Sequence, residues 1–129
     1  MSPMNISEKC KHKGEFKKDC CRIVGNYTIV EHDGCVNEGG CDVVAYNDER
    51  FYFIEIKGGK ISSSDASKIV EQIKKCENFY NPYVGHRRKS RLFLHCNKKR
   101  LENYARIKLR REGIRIYTCK DCVNLNELD

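Results

Sequence analysis

"GGCDVVAYNDERFYFIEIKGG", residues 39–59, decides the fold. Two apolar runs, 41–46 and 51–57, flank a polar turn and read as a β-hairpin. With the turn centred on Asp48 and Glu49, Tyr46 faces Phe51, Val44 faces Phe53 and Asp42 faces Glu55. On the other side Ala45 faces Tyr52, Val43 faces Ile54 and Cys41 faces Ile56. Both sides are apolar along most of the hairpin, so these are expected to be central strands covered on both faces. Alternation puts Lys57 on the face of Glu55. Asp-Glu is not a favoured hairpin dipeptide. A turn centred on Asn47 and Asp48 would leave the two acids on one face as diagonal neighbours.

Like charges opposed across an antiparallel pair are destabilising. Two carboxylates at the end of an apolar surface therefore need a reason, and a divalent cation between them is the simplest. The plainer alternative is a pair of strand-end acids, with Lys57 paired to one of them.

Around the hairpin the pattern predicts a mixed α/β sheet flanked by helices, in the order α-β-β-β-α-β-α-β and in a single domain, 1–129. Residues 7–22 are predicted helical, with Phe16, Cys20 and Ile23 on one side despite Gly14. Residues 26–33 read as a strand and "HDGCVNEGG" (32–40) as a glycine-bearing loop. A helix follows over 62–80, capped by Ser64, with Ala66, Ile69, Val70, Ile73 and Phe79 at helical spacing; "NPYVG" (81–85) is expected to break it. A strand (91–96), a helix (98–113, ended by Gly113) and a last strand (114–119) complete the sheet, and the tail adds a short helical turn.

Asp42, twelve intervening residues and then Glu55-Ile56-Lys57 resemble the PD-(D/E)XK nucleases. "GGCD" stands where that family often has Pro-Asp, and "FIEIKGG" is similar to its acidic strand. The family core of a helix, three strands, a helix and a strand matches the predicted order. The resemblance implies a restriction-endonuclease-like fold and Mg²⁺-dependent hydrolysis of DNA, with Mn²⁺ as a substitute. It implies that Asp42, Glu55 and the Ile56 carbonyl bind the metal. Lys57 would orient or activate the attacking water, or offset phosphoryl charge. Gln72, the chain's single glutamine, would position water or phosphate as in the exonuclease-like branch, although Cys76 stands where that branch has a tyrosine. Gln72 as a plain helix-surface residue is the alternative. Many members add an acid from the first helix; Glu15 is the candidate here, then Glu8, with Glu38 of the loop a third choice.

The net charge of +7 favours an acidic partner, nucleic acid before anionic lipid. Residues 86–111 hold eleven Lys or Arg against one acid, a local charge of +10. The expected phosphate contacts are Arg87, Arg88, Lys89 and Arg91, placed in a loop, with Lys98, Lys99 and Arg100; such contacts follow the backbone and carry no base code. Small nucleases often pair to reach both strands, which makes a homodimer one expectation. A nucleic-acid-binding or assembly module without turnover is the competing reading of the same fold.

No secretory signal or membrane-length apolar run is apparent, which leads to a cytoplasmic expectation. Nine cysteines admit three readings: disulfides, buried thiols, or one structural Zn²⁺ site built from Cys119, Cys122, Cys10, His12 and the Cys20-Cys21 pair. Abundant Lys, Arg and Glu beside one glutamine lean toward a thermophilic source. His32, His86 and His95 read as packing or surface residues.

Overall fold

The 39–59 hairpin forms with its turn on Asp48 and Glu49: Tyr46 pairs with Phe51, Val44 with Phe53 and Val43 with Ile54. Asn47 makes this turn work without a favoured dipeptide, because its side-chain carbonyl accepts the N–H groups of Glu49 and Arg50. The computed structural model describes residues 5–96 and 100–128. The expectations for Lys98 and Lys99 lie outside the described residues.

Numbered along the chain, the elements are β1 (Lys11–Lys18), β2 (Cys21–Val30), α1 (His32–Cys35), β3 (Val43–Tyr46), β4 (Arg50–Lys57), α2 (Ser63–Val84), β5 (Arg88–His95), α3 (Asn103–Arg111), β6 (Ile114–Thr118) and β7 (Cys122–Asn124). The sheet is mixed. Its order is β1-β2-β3-β4-β5-β6, with β7 paired to β2. Pairing is antiparallel from β1 to β4 and parallel from β4 to β6. The parallel strands are joined by α2 and α3, whose residues Ile69, Ile73 and Leu109 pack on Val44, Phe53 and Phe93. The opposite face buries Tyr52, Ile54 and Leu92 against Ile23, Ile29 and Leu125. The central strands are thus covered on both sides, as their unbroken apolar runs require.

Several expectations are corrected. Residues 11–18 form a strand, not part of a helix, because half-burial alternates with exposure from Lys13 to Lys18. Gly14, at φ +81°, sits in a bulge between Lys13 and Glu15, a backbone shape that a helix does not offer. Phe16, Cys20 and Ile23 are divided by the hairpin turn that joins β1 to β2. The strand expected at 26–33 runs instead from 21 to 30, and 32–35 form one helical turn.

The helix cap is Ser62, not Ser64, in a reciprocal capping box with Asp65. That helix continues through Pro82 to Val84, because buried Tyr80 and Val84 anchor the last turn and offset the hydrogen bond that proline removes. The "GHRRKSR" stretch is not a loop from Arg88 onward: it pairs with β4 as the start of β5. The second predicted helix is shorter, beginning only at Asn103, since Leu101 is drawn into a bridge with Ile61. The tail adds β7 before its helical turn at 125–127.

Eight cysteines form four disulfides, Cys10–Cys35, Cys20–Cys96, Cys21–Cys119 and Cys41–Cys76, and Cys122 is free and exposed. Of the sulfurs considered for one zinc centre, Cys10, Cys20, Cys21 and Cys119 are therefore held in disulfides, and Cys122 alone is a thiol.

Candidate functional site

The site is built where the hairpin opens at the C-terminal end of β4. Asp42 immediately precedes β3, and Glu55 lies opposite it, continuing the observed register by one step. Each acid accepts from the other strand's backbone. Glu55 Oε1 accepts the Asp42 N–H at 3.0 Å, and Asp42 Oδ2 accepts the Ile56 N–H at 2.8 Å. Both carboxyls share the face that α2 covers, because Val44, Phe51 and Phe53 alternate with them on that side.

Glu55 is 4% exposed. Burial, then the Asp42 carboxylate beside it, pushes its pKa up to about 9, with Lys57 pulling weakly the other way. At neutral pH Glu55 therefore keeps its proton and shares a hydrogen bond with Asp42. Lys57 is exposed at the end of β4, and its charge also reaches Asp65 at the start of α2.

Two residues join the site that were not singled out in the sequence. Lys18, at the end of β1, brings Nζ to 3.9 Å from Asp42 Oδ1 and donates to Asp33 Oδ2 at 3.4 Å. Burial opposes its charge, but Asp42 and Asp33 together hold the ammonium above its ordinary pKa. Asp33 also donates its N–H to the Asp42 carbonyl at 3.1 Å. The acid nearest to joining the pair is thus Asp33, brought in by the α1 turn. Nothing local in the sequence marks either residue, because both depend on β1 and α1 folding beside Asp42.

The loop that carries Asp42 is fixed from behind. His32 is buried; its Nε2 donates to the Gly39 carbonyl at 2.8 Å, so Nδ1 accepts the Tyr80 hydroxyl at 2.9 Å. Burial lowers the His32 pKa, and the ring stays neutral. Gly40 passes directly over this ring: a Cβ there would lie 2.7 Å from Nε2, at a φ of +135°. Next to it, Cys41–Cys76 ties the residue before Asp42 to α2.

Other expected site residues lie elsewhere. Glu15 is exposed on β1 and pairs with Arg22 at 3.1 Å, so the helix that was to deliver it does not exist. Glu8 pairs with Lys11. Glu38 sits in the loop before Gly39, away from the bonds that hold the acid pair. Gln72 is half-buried on α2 and takes no part in the bonds that hold the acid pair. Ile56 turns its N–H toward Asp42, while its side chain is buried.

The basic segment is divided between the two ends of the sheet. Arg88 pairs in register with Arg50, at the far end of the strand from Lys57 and its partner His95. There Arg87 donates to the carbonyls of Asn47 and Tyr83, and Arg91 makes a two-pronged ion pair with Glu77 at 2.7 and 3.0 Å. Lys89 approaches Glu77 at 3.8 Å, and Arg88 is exposed. Arg100 lies at the acid-pair end, where its carbonyl accepts the Ile61 N–H at 2.9 Å.

Among the described residues no group of three or more His, Cys, Asp or Glu side chains is placed to hold a metal ion. The acid pair offers oxygen ligands of the kind a hard cation takes: each carboxyl keeps one oxygen on a backbone N–H and has a second oxygen besides. No helix is long and apolar enough to cross a membrane. No protein-family model matches the chain, and comparisons with curated proteins and solved structures return no match.

Proposed function

We propose that this chain is a metal-dependent nuclease of restriction-endonuclease-like architecture, hydrolysing phosphodiester bonds in DNA. The acid pair carries the reading: Asp42 and Glu55 meet on one face of a buried hairpin, with Lys57 next along that face. The order β2-β3-β4-α2-β5 supports it by supplying the three strands, helix and strand of the core that the resemblance implies, whereas the opening helix of that core is replaced by strand β1.

Asp42 and Glu55 would hold Mg²⁺, or Mn²⁺ in its place. An ion held there would supply a water of lowered pKa and charge to offset a phosphate oxygen. Glu55 must first release its proton, so the pair converts from a shared-proton acid to two carboxylates. The exposed Lys57 ammonium is free to orient a water or offset phosphoryl charge. Lys18 sets the balance from the other side, neutralising Asp42 in part.

The test is a cleavage assay on duplex ends, junctions, nicks and single strands with Mg²⁺ or Mn²⁺. Products are expected from the wild type, and none from Asp42→Ala or Glu55→Ala, both of which still bind DNA. Salt-sensitive binding without products at any metal concentration would establish the non-catalytic module instead. One observation favours that second reading: the shared proton and two backbone hydrogen bonds satisfy much of the acid pair without metal.

A further inference from the structure

A cavity of about 330 Å³ opens beside the C-terminal ends of β5 and β6, with His95, Leu101, Arg106, Arg110, Ile116 and Thr118 in its wall. His95 and Thr118 are register partners, and Lys57 is the partner of His95 on β4, so one row of residues links this cavity to the acid-pair end. His95 is fully buried. Its Nε2 lies 2.8 Å from the Gly59 carbonyl, and because a carbonyl only accepts, Nε2 carries the hydrogen. Nδ1 is then an acceptor, buried with no partner among the described residues, so the ring lines the recess without donating into it.

On α3, Ala105 and Leu109 are buried, and Arg106 and Arg110 follow them one turn apart on the flank. Helical side chains lean toward the helix N-terminus, here the end joined through Leu101 to the segment after β4. Among the described residues neither guanidinium has an ion-pair partner. The nearby Glu102 carboxylate is held by Lys60 at 3.3 Å.

We propose that this recess binds a phosphate monoester through Arg106, Arg110 and the Thr118 hydroxyl. Two planar guanidinium forks match a tetrahedral oxyanion, and a recess admits a terminal group better than a continuing backbone. The source is the terminal phosphate of a polynucleotide or a free phosphate ester. Only the first rests on the nuclease proposal: two strand spacings, about 10 Å, separate β6 from β4, a short reach along a polynucleotide strand.

The probes are orthophosphate and a 5′-phosphorylated oligonucleotide beside its 5′-hydroxyl twin, all in EDTA. Orthophosphate is expected to shift the His95 imidazole NMR signals of the wild type. R106Q/R110Q should weaken binding by about tenfold or more, and Thr118→Val should weaken it with the charges kept. Preference for the 5′-phosphate in the wild type alone names a polynucleotide end; an orthophosphate response without that preference supports the pocket and names a free ester. No His95 response to either probe, or equal affinity in R106Q/R110Q with an unchanged melting temperature, overturns it. Glu55→Ala leaves the recess intact, so phosphate binding by that variant stands whether or not the wild type cleaves DNA.

Discussion

A carboxyl that is 4% exposed and faces a second carboxylate holds its proton at neutral pH. The native Glu55 pKa, about 9, lies above its ordinary 4.5, so the folded state binds a proton that the unfolded chain releases. Its contribution to stability is therefore complete below about pH 4.5 and is lost as pH rises toward about 9. Thermal unfolding of wild type and Glu55→Gln across that range should show the wild type losing stability relative to the variant as pH increases. A constant difference between the two would place Glu55 outside any coupled pair. Metal binding must expel the same proton, so Mg²⁺ affinity should rise with pH over this window, with proton release measurable by calorimetry in buffers of different ionisation enthalpy. Lys18 supplies the opposing test. Its ammonium stands 3.9 Å from Asp42 Oδ1 and repels any incoming cation, so Lys18→Met should tighten Mn²⁺ binding severalfold. Weaker binding in Lys18→Met would mean that the lysine instead holds Asp42 in position.

The loop before β3 keeps Asp42 in place through two attachments to α2, the His32–Tyr80 hydrogen bond and the Cys41–Cys76 disulfide. Replacing both cysteines with alanine should cost about 2–4 kcal/mol by the usual worth of a disulfide, read from denaturant unfolding. The same variant should bind divalent metal less tightly than wild type, because the constraint ends one residue from Asp42; unchanged metal affinity would show that β3 pairing alone suffices. The hairpin was legible because its apolar residues alternate without interruption, and its register then set Asp42 opposite Glu55. Residues 11–25 were not, because the half-buried side of β1 presents His12, Phe16 and Lys18, a pattern too polar to announce a strand. Nor could local spacing reveal that Pro82 is carried inside α2, since buried Tyr80 and Val84 decide that by tertiary packing. Among site residues, Asp42, Glu55 and Lys57 were readable from one hairpin. Lys18 and Asp33 were not, because they arrive from separate elements.

Charge that is continuous along the chain is split in space by the parallel strands. Arg88 and Lys89 enter β5 at one end, whereas His95 leaves it at the other, seven residues and about 23 Å later. Arg87 and Arg91 are engaged within the protein, leaving Arg88 and Lys89 as the more available cations of that end. Arg100 and Arg106 lie at the end that holds the acid pair and the His95 cavity. At about 3.4 Å per base pair, a duplex shorter than about seven base pairs cannot bridge the two ends. R100Q/R106Q should therefore weaken binding to short and long DNA alike and lower the slope of log affinity against log salt by about one per lost phosphate contact. R88Q/K89Q should leave short duplexes unaffected and weaken only those long enough to span the sheet. Fluorescence anisotropy over a ladder of duplex lengths, each at several salt concentrations, separates the two pairs. If R88Q/K89Q weakens the shortest duplex as much as R100Q/R106Q does, nucleic acid lies across the 87–91 end instead, and the acid pair is too far away to act on what is bound there.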